Sequence, residues 1–177
     1  MRAAVTVIGA VIGAVIGAVM LGGCATTGGG DRPPQEATIR YETTPCFGTC
    51  PVYVVTLRPD GSGTFEGKRF TAVTGTQSFT ASPAEVRRFA AALAPYRPAS
   101  GERLYRQGTA LCGPQMVSDM PSVDVRWTDA RGEQHLAFDY GCDLEGRTAM
   151  RDALRGAPDA LPIAALVKPA TPFPPSR

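Results

Sequence analysis

The chain has 177 residues, with 18 Lys+Arg against 16 Asp+Glu, one histidine and a formal net charge of +2. No stretch concentrates the basic residues, which speaks against a nucleic-acid partner and against electrostatic binding to acidic polymers. The length fits one domain with one modest core.

The N-terminus reads as a targeting segment. Met1-Arg2 gives a positive start, residues 3–21 carry no charge, and LGGC follows at Leu21–Cys24. The apolar run is about as long as a membrane span. LGGC instead resembles the bacterial lipobox: a Leu, two small residues that let a peptidase approach, and a Cys whose thiol accepts the lipid. The expectation is a signal peptide over residues 1–23 and lipidation at Cys24. Each buried CH₂ contributes ~0.8 kcal/mol, and several chains anchor stably. Ala25 resembles the outer-membrane address of a Gram-negative lipoprotein, facing the periplasm. Residues 24–37, rich in Gly and Pro, form a flexible tether. A single α+β domain is expected over 38–167, and a disordered Pro-rich tail, KPATPFPPSR, over 168–177.

ATIRYETT (37–44) alternates as a half-buried strand does, through Ile39 and Tyr41. PCFGTCPVY (45–53) follows, with Cys46 and Cys50 four positions apart. In the strand after it, Val52 and Val54 face one way, and Tyr53, Val55 and Leu57 the other. PDGSG is turn chemistry, GTFEG returns, and VTGTQSFT (73–80) is a fourth strand. ASPAEVRRFAAALAPY (81–96) starts a helix, with Ser82 as N-cap, Pro83 at N1 and Glu85 completing a capping box. Val86, Phe89, Ala90 and Leu93 form its core stripe. Residues 97–121 read as an irregular loop carrying Cys112. SVDVRWTDARGEQHLAFDYG (122–141) is a hairpin, with Val123, Val125 and Trp127 alternating. DLEGRTAMRDALRG (143–156) is a second helix with core contacts Leu144, Met150 and Leu154, and DALPIAALV a short closing segment. The order ββββαββα implies an α+β fold: an antiparallel sheet of about six strands with two helices on one face.

Without Cys24, four cysteines remain: Cys46, Cys50, Cys112 and Cys142. An even number in an oxidising compartment reads as two disulfides, for which three connectivities exist. A tight turn brings positions i and i+4 to roughly 6 Å, so Cys46 is expected to pair with Cys50. If Thr128 pairs with Glu133, Cys142 falls opposite Asp119, within reach of Cys112, and these two form the second bridge.

With the lipobox and PCFGTCPVYVVTLRPDGSGTFEG on the page, the chain resembles a family of bacterial lipoproteins whose domain has no assigned function. The pattern is a strand, C-x-G-x-C-P-x-Y, then a strand ending in a D-G turn: Cys46, Gly48, Cys50, Pro51, Tyr53, Asp60 and Gly61. SDMPSVDV (118–125) and FDYG (138–141) resemble its later hairpin. The likeness covers roughly residues 38–156 and implies a fold unit without an activity.

The chemical options are few. C-x-x-x-C-P resembles the thiol and copper motif of cytochrome-oxidase assembly factors, and thiolates select Cu(I). That makes a thiol-redox or copper-handling protein, using Cys46 and Cys50 with His135 as a third ligand, the alternative reading. Against it, PVYVVTL after Cys50 is strand-like, so no helix N-terminus lowers the thiol pKa. His135 and the scattered acids carry no triad spacing. Asp119, Asp124, Asp129, Asp139 and Asp143 lack an EF-hand ladder and read as a solvated face, and Trp127 and Tyr53 read as core. The expected protein is a non-enzymatic cell-envelope lipoprotein without cofactor. It meets the membrane through its lipid and presents a stapled domain to a protein or cell-wall partner.

Overall fold

The computed structural model describes residues 37–114, 116–142 and 146–168. The signal segment, Cys24, the tether to residue 36, Asp143, Leu144 and the tail from residue 169 fall outside the described residues.

Seven strands form one sheet: β1 (Thr38–Thr43), β2 (Val52–Leu57), β3 (Ser62–Arg69), β4 (Gly75–Thr80), β5 (Gly101–Tyr105), β6 (Ser122–Asp129) and β7 (Gly132–Asp139). Their spatial order is β4-β3-β2-β1-β6-β7-β5. Period-two alternation sends Ile39, Tyr41, Tyr53, Val55, Leu57, Phe65, Val123, Val125, Trp127, Leu136 and Phe138 to one face. The register lines them up in rows, with Val55 beside Tyr41, Tyr41 beside Val125 and Val125 beside Leu136.

Three helices cover that face: α1 (Pro83–Leu93), α2 (Thr148–Gly156) and the short α3 (Ala164–Val167). They contribute Val86, Phe89, Ala90, Leu93, Met150 and Leu154, and Leu161 and Ile163 close the core. The capping box of α1 is complete: Glu85 N–H donates to Ser82 Oγ at 3.3 Å and Ser82 N–H to Glu85 Oε2 at 2.7 Å. The opposite face is polar in its centre, with Arg40, Glu42, Asp124, Arg126 and His135 in adjoining rows. Val54 is buried on this face, with Glu42 and Glu66 as its cross-strand neighbours.

The fold is α+β, but four expectations need correction. Three helices rather than two are described, because part of the closing segment DALPIAALV forms the short α3. The sheet has seven strands because GERLY, inside the expected loop 97–121, is β5 and pairs parallel with β7. Its first three residues are exposed and two are charged, so it shows no alternation to read. Among the described residues the second helix starts at Thr148, because Gly146 takes a positive φ of 80° that a helix does not contain. Cys142 stands opposite Met116 rather than Asp119, although Thr128 does pair with Glu133. Asp119 adopts a left-handed φ of 63°, which breaks the hairpin register just beyond Ser122–Asp139.

Candidate functional site

The sheet has two dissimilar ends. β1 ends, β2 starts, β5 ends, β6 starts and β7 ends at the same pole, as the register of Thr43 with Val123, Ser122 with Asp139 and Tyr105 with Phe138 requires. The described parts of the loops 44–51, 106–114, 116–121 and 140–142 therefore converge there, as does the short β3–β4 loop 70–74. The cysteines lie on 44–51, 106–114 and 140–142. Their four cysteines lie in two pairs at disulfide distance. Cys46 and Cys50 have sulfurs 1.94 Å apart and Cα atoms 5.8 Å apart; Cys112 and Cys142 have sulfurs 2.06 Å apart and Cα atoms 4.7 Å apart. Gly48 makes the five-residue ring closable, since its φ of 141° suits no other residue well.

Backbone bonds join the loops. Phe47 N–H donates to the Asp119 carbonyl at 3.0 Å, Thr44 N–H to Ser122 at 3.0 Å, and Val117 N–H to Gly141 at 2.9 Å. Thr43 spans the base of the small ring. Its hydroxyl donates to the Pro51 carbonyl at 2.8 Å and accepts from Tyr53 N–H at 3.0 Å. The Cys112–Cys142 pair is buried, at 1% and 0% exposure, whereas Cys46 and Cys50 are half-buried.

This pole also carries every large exposed apolar side chain among the described residues: Phe47 at 91%, Val117 at 55% and Leu111 at 41%. They escape the alternation that buries such residues because each sits in a stapled loop. Sequence reasoning missed them. Phe47 was findable, since the middle of a five-residue ring cannot reach a core.

A second cluster lies mid-sheet on the polar face. His135 is 8% exposed and its Nε2 stands 2.6 Å from Asp124 Oδ2. Glu102 of β5 approaches His135 Nδ1 at 3.6 Å, and Arg106 donates to Asp124 Oδ2 at 3.0 Å. Arg126 adds a 3.3 Å ion pair to Asp124 Oδ1, which has no hydrogen-bond donor. Arg126 also donates to Glu133 at 2.6 Å, and that bond, with the two carboxylates, raises its pKa. These contacts tie the edge strand β5 and its following loop to β6 and β7. None of them sets a nucleophile beside the histidine.

Two further networks are structural. Burial pushes Glu42 upward, but hydrogen bonds from Lys68 and Arg40 outweigh it and lower its pKa. Bonds from the Arg131 side chain and N–H, then from Arg97, hold Asp129 well below the usual carboxylate range. Arg97 also bonds Gln134 and lies over Trp127, which fixes the chain after α1 to the β6–β7 turn.

Of the residues expected to carry chemistry, Cys46 and Cys50 are bonded to each other, and His135 is mid-strand opposite Arg126. Among the described residues no group of three His, Cys, Asp or Glu is placed to hold a metal ion. Asp124 meets His135, while Asp129 joins Arg97 and Arg131 at the far turn, and Asp139 accepts Gly141 N–H at 2.8 Å. Trp127 and Tyr53 are core.

No curated protein matches the chain. A family model, described as a domain of unknown function (DUF6438), matches residues 37–161. That span begins at the buried Ala37 before β1 and ends at Leu161 beyond α2, so it takes in the whole sheet, both stapled loops and the two longer helices: the chain belongs to this family.

Proposed function

We propose that this chain is a lipid-anchored cell-envelope protein that acts by binding, without catalysis of its own, and that its stapled pole is the surface it presents to a protein partner. One observation carries the reading: Phe47, Leu111 and Val117 are each exposed, at one pole of the sheet, on the loops that carry the two cysteine pairs. An exposed aromatic ring with aliphatic neighbours is what a hot spot offers to a partner pocket. Fixing the loops beforehand lowers the ordering entropy lost on association. The polarity of the sheet supports the same reading. β1 starts at Thr38 beside Thr128, the pole opposite to the cysteines. Six residues of strand separate the two ends by about 20 Å. On this reading a lipid on Cys24 anchors the chain in the cell envelope, at the outer membrane facing the periplasm if the host is Gram-negative, and the segment from it joins the domain at Thr38.

The test uses the full-length chain in intact cells. Cys24→Ala should abolish processing and membrane fractionation. Phe47→Ser/Leu111→Ser/Val117→Ser should keep the thermal stability and lose the protein crosslinked to wild type. Unchanged crosslinking in the triple variant would overturn the surface assignment.

A second reading has one observation in its favour. Cys46 and Cys50 are half-buried and open to a reductant or Cu(I), unlike the enclosed Cys112 and Cys142. Against it, Cys50 runs through Pro51 into a strand, so no helix N-terminus stabilises a thiolate. A glutathione titration read by thiol alkylation, with a Cu(I) competition on the reduced form, separates the two. Structural pairing predicts reduction only below about −300 mV and weak copper binding.

A further inference from the structure

The polar face of the sheet holds one titratable group that the proposed binding surface does not use. The side chain of His135, on β7, is 10% exposed, and its two ring nitrogens face carboxylates on two different strands. Nε2 stands 2.6 Å from Asp124 Oδ2 of β6, and Nδ1 stands 3.6 Å from Glu102 Oε2 of β5. A neutral imidazole has a single N–H, on whichever nitrogen carries it, whereas the imidazolium has two. Only the charged ring therefore gives a hydrogen to both carboxylates. The other charged groups around the ring are already matched. Arg106, just after β5, pairs with Asp124 at 3.0 Å. Arg126, opposite His135 on β6, pairs with Asp124 at 3.3 Å and with Glu133 of β7 at 2.6 Å, and its Nη2 lies 3.5 Å from His135 Nε2. On β1, Glu42 lies across from Asp124 and closes its own pairs with Arg40 and Lys68. Glu102, Asp124 and Glu133 thus face the two guanidiniums of Arg106 and Arg126, and a charge on the ring balances the set.

We propose that His135 is a proton-operated latch on the edge strand β5. With both nitrogens protonated, the ring bridges Glu102 to Asp124 and so ties β5 to β6 across β7. When it loses a proton, one of the two carboxylates faces a lone pair, and β5 gives up that side-chain tie. Histidine is the side chain that changes charge near neutral pH, so the tie is present at the acidic end and is lost as pH rises. β5 leads into the loop that carries Leu111 and Cys112. The latch therefore acts on one loop of the stapled pole without resting on what that pole binds.

The test is NMR of the full-length chain in detergent across about pH 5–8. It reads the ring signals of His135, the one histidine of the chain, beside the exchange protection factors of the Gly101–Tyr105 amides. As the ring loses its proton, β5 protection should fall about two- to five-fold, the scale of one exposed ion pair. Its midpoint should be that of the ring signals, while protection of β1 and β2 stays constant. Glu102→Gln, at a side chain 62% exposed, should lower the ring midpoint and leave β5 protection flat across it. A ring midpoint unchanged by Glu102→Gln would overturn the proposal. So would β5 protection that is constant through the wild-type midpoint, or that still follows pH in His135→Gln.

Discussion

Gly141 shows how tightly the stapled pole is built. A Cβ at this position would sit 1.9 Å from the Val117 carbonyl oxygen, a backbone atom that cannot swing away. Gly141→Ala should therefore push loop 116–121 outward and cost about 1–3 kcal/mol, the usual range for overpacking. Chemical denaturation of the full chain in detergent measures it, and a change below about 0.5 kcal/mol, as at an ordinary surface site, would contradict the contact.

Tyr41, Tyr53 and Tyr140 set the alkaline limit. Burial raises all three hydroxyls, Tyr140 to about 12 and the other two also well above the ordinary tyrosine value. Tyr41 donates to the Leu154 carbonyl at 3.0 Å, a bond that only the protonated form can make. In the unfolded chain these groups release their protons near pH ~10. Above that pH the folded state holds more protons than the unfolded state, so stability falls with rising pH. The tyrosine contribution should be intact below about pH 10 and decline as pH rises toward the folded value of about 12. Melting temperatures across this range, with phenolate absorbance as the second readout, check the sign. Tyr140→Phe should flatten part of the decline.

Among the elements, sequence legibility followed periodicity and chain-local chemistry. Helix α1 could be read because Ser82, Pro83 and Glu85 mark its start and its stripe faces a sheet on one side. β1, β2 and the β6–β7 hairpin could be read because one face of each is apolar. β5 could not: it is an edge strand whose partner β7 lies later in the chain, and parallel pairing leaves no turn between them as a mark. The His135 cluster was hidden for the same reason. Glu102, Asp124 and His135 meet only once β5, β6 and β7 are adjacent, and no spacing in the chain encodes that. The second cysteine pair was reachable from the hairpin register even though the register slips at Asp119, because a long loop tolerates such an offset.

The two cysteine pairs differ as elements of stability. Cys46–Cys50 closes a sequence separation of 4 and Cys112–Cys142 one of 30. On the chain-entropy model these correspond to ~2 and ~3.5 kcal/mol. Burial widens the gap, because Cys112 and Cys142 are enclosed and also hold the loop that follows β5. Cys112→Ala/Cys142→Ala should lower stability clearly more than Cys46→Ala/Cys50→Ala. Equal losses in denaturant unfolding would contradict this ranking.

At the scale of the molecule, the fold divides its tasks between poles and edges. The pole where β1 begins receives the chain from the N-terminal side, and the β6–β7 turn there is tied down by Arg97, Asp129 and Arg131. The opposite pole gathers the cysteine-bearing loops, four cysteines and three exposed apolar side chains. The helices cover one face, and ion pairs occupy the centre of the other. On the proposed reading, the stapled pole is where the domain meets its partner. The most direct measurement places a photocrosslinking residue at position 47, 111 or 117 of the full-length chain in intact cells, with position 88 on the exposed side of α1 as the control. The proposal predicts one protein adduct of common mass from all three pole positions, absent from position 88 and absent when the crosslinker at 111 or 117 is combined with Phe47→Ser. Adducts equally abundant from position 88, or none from the pole, would contradict it.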